Sequence, residues 1–112
     1  MENDLYLEIQ QKTKELEVAI KYLRKSGSAY AKAEHDYKIL LRTEALKLRD
    51  QGMAVGMIDK TVYGIPTVAN ARFRRDCALT VYEANKESIN SLKLQLRLLD
   101  AQLSREWSAG GV

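Results

Sequence analysis

The 112 residues allow one domain at most, and a chain that is 46% hydrophobic and 29% charged with a single Pro excludes a disordered tail or a collagen-like repeat. A formal net charge of +3 does not select a partner, but it argues against mimicry of DNA, which calls for an acidic surface. The lone Cys77 excludes an intrachain disulfide and fits a reducing compartment.

In chain order, Asn3 or Asp4 can cap a first helix that reaches about Arg24, with Tyr6, Ile9, Thr13, Leu16, Ile20 and Leu23 as its inward stripe. The Ser26-Gly27-Ser28 triplet then interrupts: Gly27 costs about 1 kcal/mol relative to Ala, and Ser28 can cap a new helix. A break or kink is expected there. A second helix follows from about Ala29 to Asp50, with Tyr30, Ala33, Tyr37, Leu41, Ala45 and Leu48 inward. Gly52 is placed to end it as a left-handed cap. Val55 to Tyr63 predicts a short helix with Met57, Ile58 and Val62 on one side, and Pro66 in the first turn or Thr67 as cap starts the next one.

Residues 67–107 hold no Pro or Gly, and Tyr82, Asn85, Ile89, Leu92, Leu96, Leu99 and Leu103 alternate spacings of three and four. That period lets one helix face another continuously. Leu94, Leu98 and Ala101 lie nearly opposite this stripe, and a helix apolar on two sides is normally covered on two sides. One cover is the first helix of the same chain, and the other is a second subunit, with Leu94, Leu98 and Ala101 as the oligomer seam. The fold class expected is all-α: an elongated antiparallel helical hairpin, coiled-coil-like and oligomeric. It has a broken first arm (4–51), a turn region (52–66), one long second arm (67–107) and a frayed tail (108–112), in a single domain over 1–112. Antiparallel return brings Trp107 near Leu5 and Tyr6, and a buried Asn85 fixes register.

Charge is unevenly spread. Lys38 to Arg75 holds eight basic and three acidic residues, whereas the remainder holds ten basic and twelve acidic. The basic excess falls at the tip of a hairpin. Arg42, Arg49, Lys60, Arg72, Arg74 and Arg75, with Tyr63 as a stacking surface, are therefore the candidate contacts for nucleic acid or an acidic protein. Residues 45–75 also suggest a helix-turn-helix DNA reader, although the interval from Ile58 to Gly64 is one residue long for that motif and the presumed recognition helix continues some thirty residues too far.

No catalytic, metal or cofactor residue is assigned. His35 is the only histidine, Cys77 leans inward as a small hydrophobe, and no phosphate-binding glycine loop or Ser/His/Asp set occurs. An enzyme, a cofactor and a small-molecule substrate are not expected. The acidic N-terminal residues do not form a signal peptide, and no apolar run approaches the ~20 residues that span a bilayer. A soluble cytoplasmic protein without membrane contact follows.

The Lys/Glu/Gln-rich N-terminal helix, Tyr30-Ala31-Lys32-Ala33-Glu34, Tyr37-Lys38, Arg72-Phe73-Arg74-Arg75-Asp76, Tyr82 and the closing Glu106-Trp107 together resemble short helical early-region proteins of phages and prophages from Gram-positive bacteria. The resemblance covers most of the chain and transfers no functional residue. It implies a phage accessory protein that binds a host defence or nuclease complex, or the phage recombination machinery. A purely structural, self-assembling coiled coil is a further alternative.

Overall fold

A computed structural model describes residues 2–110. Among them the chain is all-α, a helical hairpin of three helices: α1 (Glu2–Asp50), α2 (Val55–Thr61) and α3 (Pro66–Gly110), with a 3-10 turn at Val62–Gly64 between the last two. Asn3 and Asp4 are not caps but lie inside α1. The expected frayed tail is helical as far as Gly110, while Gly111 and Val112 lie outside the described residues.

The expected break in the first arm does not occur. α1 is a single helix of 49 residues that passes through Ser26-Gly27-Ser28. Its less exposed positions keep heptad phase across the triplet: Ile9, Leu16, Leu23, Tyr30 and Tyr37 stand seven apart, with Lys12, Ala19, Ser26 and Ala33 between them. Gly27 answers a close approach instead. A Cβ there would lie 3.2 Å from Cε1 of Tyr82, so the absent side chain makes room for a ring. The same phase corrects two stripe positions. Leu5 is buried where Tyr6 is 55% exposed, and Lys12 turns inward where Thr13 is exposed and its hydroxyl donates to the Ile9 carbonyl oxygen at 2.8 Å.

Packing divides the chain into two compact units. The first comprises the chain through Lys25 together with Glu83 onward. Leu5 and Ile89 are buried in it, and Leu92, Leu96, Leu99 and Leu103 are half-buried, as the stripe predicts. Asn85, on that stripe, donates from Nδ2 to the Tyr22 carbonyl oxygen at 3.3 Å, a polar contact that penalises slippage between the helices. Trp107 is 70% exposed and forms no buried group with Tyr6.

The second unit, Ser26–Tyr82, joins the rest of α1, all of α2 and the start of α3. Tyr37, Val62, Val68 and Ala71 form its core, with Leu40, Leu41, Ala45, Leu48 and Ile65 packed against them. Tyr30 stacks on Tyr82 and Tyr37 faces Arg75, so within this unit α1 and α3 run antiparallel. In α2, Ile58 is buried and Val62 follows it inward, but Met57 is exposed rather than on their side. Cys77 is also exposed, because Arg75 and Ala78 occupy the inward positions on either side of it.

α1 ends where Gly52 adopts φ 88°. The Gly52 amide donates to the Arg49 carbonyl oxygen at 2.9 Å and the Met53 amide to that of Leu48 at 3.1 Å, the paired bonds of a Schellman cap. Gly52→Ala is expected to lower stability by about 1 kcal/mol, since a left-handed backbone strains Ala but not Gly. Gly56→Ala, in α2 with open space around it, serves as the control. Equal urea midpoints for the two variants would remove the capping account. α3 begins with Pro66, whose missing amide costs nothing in a first turn, and the Ala69 amide closes that turn on Ile65 at 2.8 Å.

Candidate functional site

The candidate contact residues lie on the second unit. Arg42 and Arg49, seven residues apart, share one face of α1, and with Ala45, Leu46, Val55, Ile58 and Asp59 they line an open groove of about 460 Å³ against α2. Leu46 and Val55 are exposed in that groove, Val55 to 75%. Lys60 is exposed at the end of α2. On α3 the guanidinium carbon of Arg72 stands 5.8 Å from the centre of the Tyr63 ring, close enough for a cation–π contact. Arg74 lines a smaller depression of about 220 Å³ with Ala29, Lys32, Ala33, Asp36 and Ala71. Phe73, between the two arginines, is 68% exposed.

Arg75 is different. Its side chain is 21% exposed and its guanidinium lies 4.7 Å from the centre of the Tyr37 ring. Nη2 pairs with Asp76 at 2.8 Å, Nε donates to the same carboxylate at 2.9 Å, and Nη1 is 3.7 Å from Glu34. Partial burial works against its charge, but the hydrogen bond and charge of Asp76, then the charge of Glu34, outweigh this and hold its pKa above the usual arginine value. Glu34 also accepts from the Tyr30 hydroxyl at 3.1 Å and pairs with Lys38 at 3.7 Å. Arg75 is thus part of a polar layer between α1 and α3, not a free cation of the tip. Arg42, Arg49, Lys60, Arg72 and Arg74 form no ion pair with a described residue, whereas Lys38 and Lys47 are matched by Glu34 and Glu44.

Three features of this surface escape a reading of the sequence. Leu46 and Phe73 are large apolar residues that fall off the inward phase of their helices, a signal that counting heptads would recover. The role of Glu34 as a shared acceptor carries no sequence signature. The helix-turn-helix alternative maps onto the end of α1, α2, the 3-10 turn and the start of α3.

His35 is an exposed neighbour of Asp36 at 3.5 Å. Among the described residues no three His, Cys, Asp or Glu side chains converge as metal ligands, and no helix is long and apolar enough to cross a membrane. The chain matches no protein-family model, no curated protein and no solved structure.

Proposed function

We propose that this chain is a non-enzymatic phage accessory protein that acts in the host cytoplasm by binding another macromolecule. One observation carries the reading: five cations of the second unit lack carboxylate partners among the described residues, with Arg42 and Arg49 sharing a groove with exposed Leu46 and Val55, and Arg72 lying over the exposed Tyr63 ring. Unpaired cations beside exposed aromatic and aliphatic groups suit a polyanion whose bases stack, or an acidic protein surface with apolar residues. The protein self-associates through Leu94, Leu98 and Ala101, and its targets are nucleic acid at the phage recombination machinery or a host defence or nuclease complex.

Fluorescence anisotropy with labelled single- and double-stranded DNA at two salt concentrations tests the surface. A variant carrying Arg42→Glu, Arg49→Glu, Arg72→Glu and Arg74→Glu is the comparison, with Arg75 retained because it belongs to the interior. The expected result is affinity that falls with salt and is at least tenfold weaker in the variant, since four phosphate contacts become repulsions. Wild type and variant binding alike would sink the assignment of this surface. No binding at micromolar protein would remove the nucleic-acid target and leave the acidic protein surface. Strong preference for one duplex sequence would identify the helix-turn-helix reading of residues 45–75 instead.

A further inference from the structure

α3 carries a second heptad stripe besides the one that faces α1. Glu87, Ser91, Leu94, Leu98, Ala101 and Arg105 alternate spacings of four and three, and all six are exposed, Leu94 to 50% and Leu98 to 61%. The apolar centre is short, and its ends carry opposite charges. Neither Glu87 nor Arg105 forms an ion pair with a described residue.

We propose that the occupant of this stripe is a second copy of the chain, docked antiparallel about a twofold axis that passes between Leu94 and Leu98. The inference rests on the self-association stated above and adds its geometry. In this register Leu94 meets Leu98 of the partner subunit, and Ser91 meets the partner's Ala101. Glu87 meets the partner's Arg105, with each contact repeated by the axis. Core layers of antiparallel coiled coils mix the two inward heptad positions, and every pair here does so. A parallel pairing would instead set Glu87 against Glu87 and Arg105 against Arg105, like charges at both ends. The charge pattern therefore selects both a self-partner and its direction.

Sedimentation of the full chain from micromolar to millimolar concentration gives the test, read beside circular dichroism to follow helix content. The wild type is expected to dimerise. Glu87→Arg and Arg105→Glu are each expected to weaken the dimer about tenfold, because every substitution turns two attractions into repulsions. Combining them in one chain restores both pairs with exchanged signs and returns dimerisation to within about twofold of wild type. Leu94→Glu with Leu98→Glu gives a helical monomer. A wild type that stays monomeric throughout overturns the self-association itself. A dimer that the single reversals leave unmoved overturns the antiparallel register while self-association survives.

Discussion

Tyr37→Ala is expected to destabilise the protein by about 3–5 kcal/mol, the largest effect of any single truncation in the core of the second unit. The ring is 6% exposed, belongs to that core with Val62, Val68 and Ala71, and lies under the Arg75 guanidinium. Removing it leaves a cavity where α1, α3 and the turn converge, and deletes a cation–π contact worth roughly 1 kcal/mol. Small domains hold only about 5–15 kcal/mol in total, so a large share of the stability goes at once. At ~4–8 °C per kcal/mol for a chain of this size, the melting temperature should fall by at least about 12 °C. Tyr37→Phe keeps the ring and its face to Arg75 and should stay within about 1 kcal/mol of wild type. Tyr22→Ala, at a ring 59% exposed, should leave the transition nearly unmoved. Should Tyr37→Ala melt within a few degrees of Tyr22→Ala, the second unit does not have its core at Tyr37.

How much of this architecture was legible follows from where each decision is made physically. The α3 stripe from Tyr82 to Leu103 was readable residue by residue, because a helix pressed along its length against another must repeat its apolar positions every seven residues. α1 obeys the same rule, yet Ser26-Gly27-Ser28 suggests a break because helix propensity is local, while what overrides it is a ring fifty-five positions away in α3. Phase still held the answer. Leu23 and Tyr30 are one heptad apart, and a true break has no reason to preserve register. Counting back in sevens from Ala33 through Ser26 and Ala19 likewise selects Lys12 and Leu5 over Thr13 and Tyr6. Lysine is acceptable there because its stem covers apolar surface while the ammonium reaches Glu15 at 3.4 Å.

The candidate surface was legible as composition but not as geometry. Arg72, Arg74 and Arg75 look equivalent in sequence, yet counting a heptad back from Tyr82 puts Arg75 alone on the inward face, where Asp76 and Glu34 neutralise it. Partnering was the hidden variable: a cation matched by two carboxylates fixes the fold, while its unpaired neighbours are left to attract something else. The arginine-to-glutamate experiment therefore has to spare Arg75. Reversing it would set a third carboxylate beside Glu34 and Asp76, and lost binding would then report lost structure.

Gly27 provides the sharpest contrast between a local and a tertiary account of the same residue. If it weakened the helix for want of a side chain, Gly27→Leu would stabilise the protein by close to 1 kcal/mol, leucine being a strong helix former. The packing against Tyr82 requires the opposite sign. A Cβ at 3.2 Å from the ring is tolerable only if the ring gives by a few tenths of an ångström, and a full isobutyl group has no such route. Gly27→Leu is therefore expected to cost about 2–3 kcal/mol, the usual penalty of overpacking, and to disturb the Tyr30–Tyr82 stack, whose centres lie 6.1 Å apart. Gly27→Ala should be nearly neutral, the gain in helix propensity offsetting the displaced ring. The decisive arm is the double variant. With Tyr82→Ala in the background the obstruction is gone, and Gly27→Leu should then cost little, giving a coupling of about 2 kcal/mol between two positions far apart in sequence. Additive effects in that cycle would mean that the ring and the glycine do not meet. α1 would then need another reason to carry a glycine through the middle of 49 helical residues.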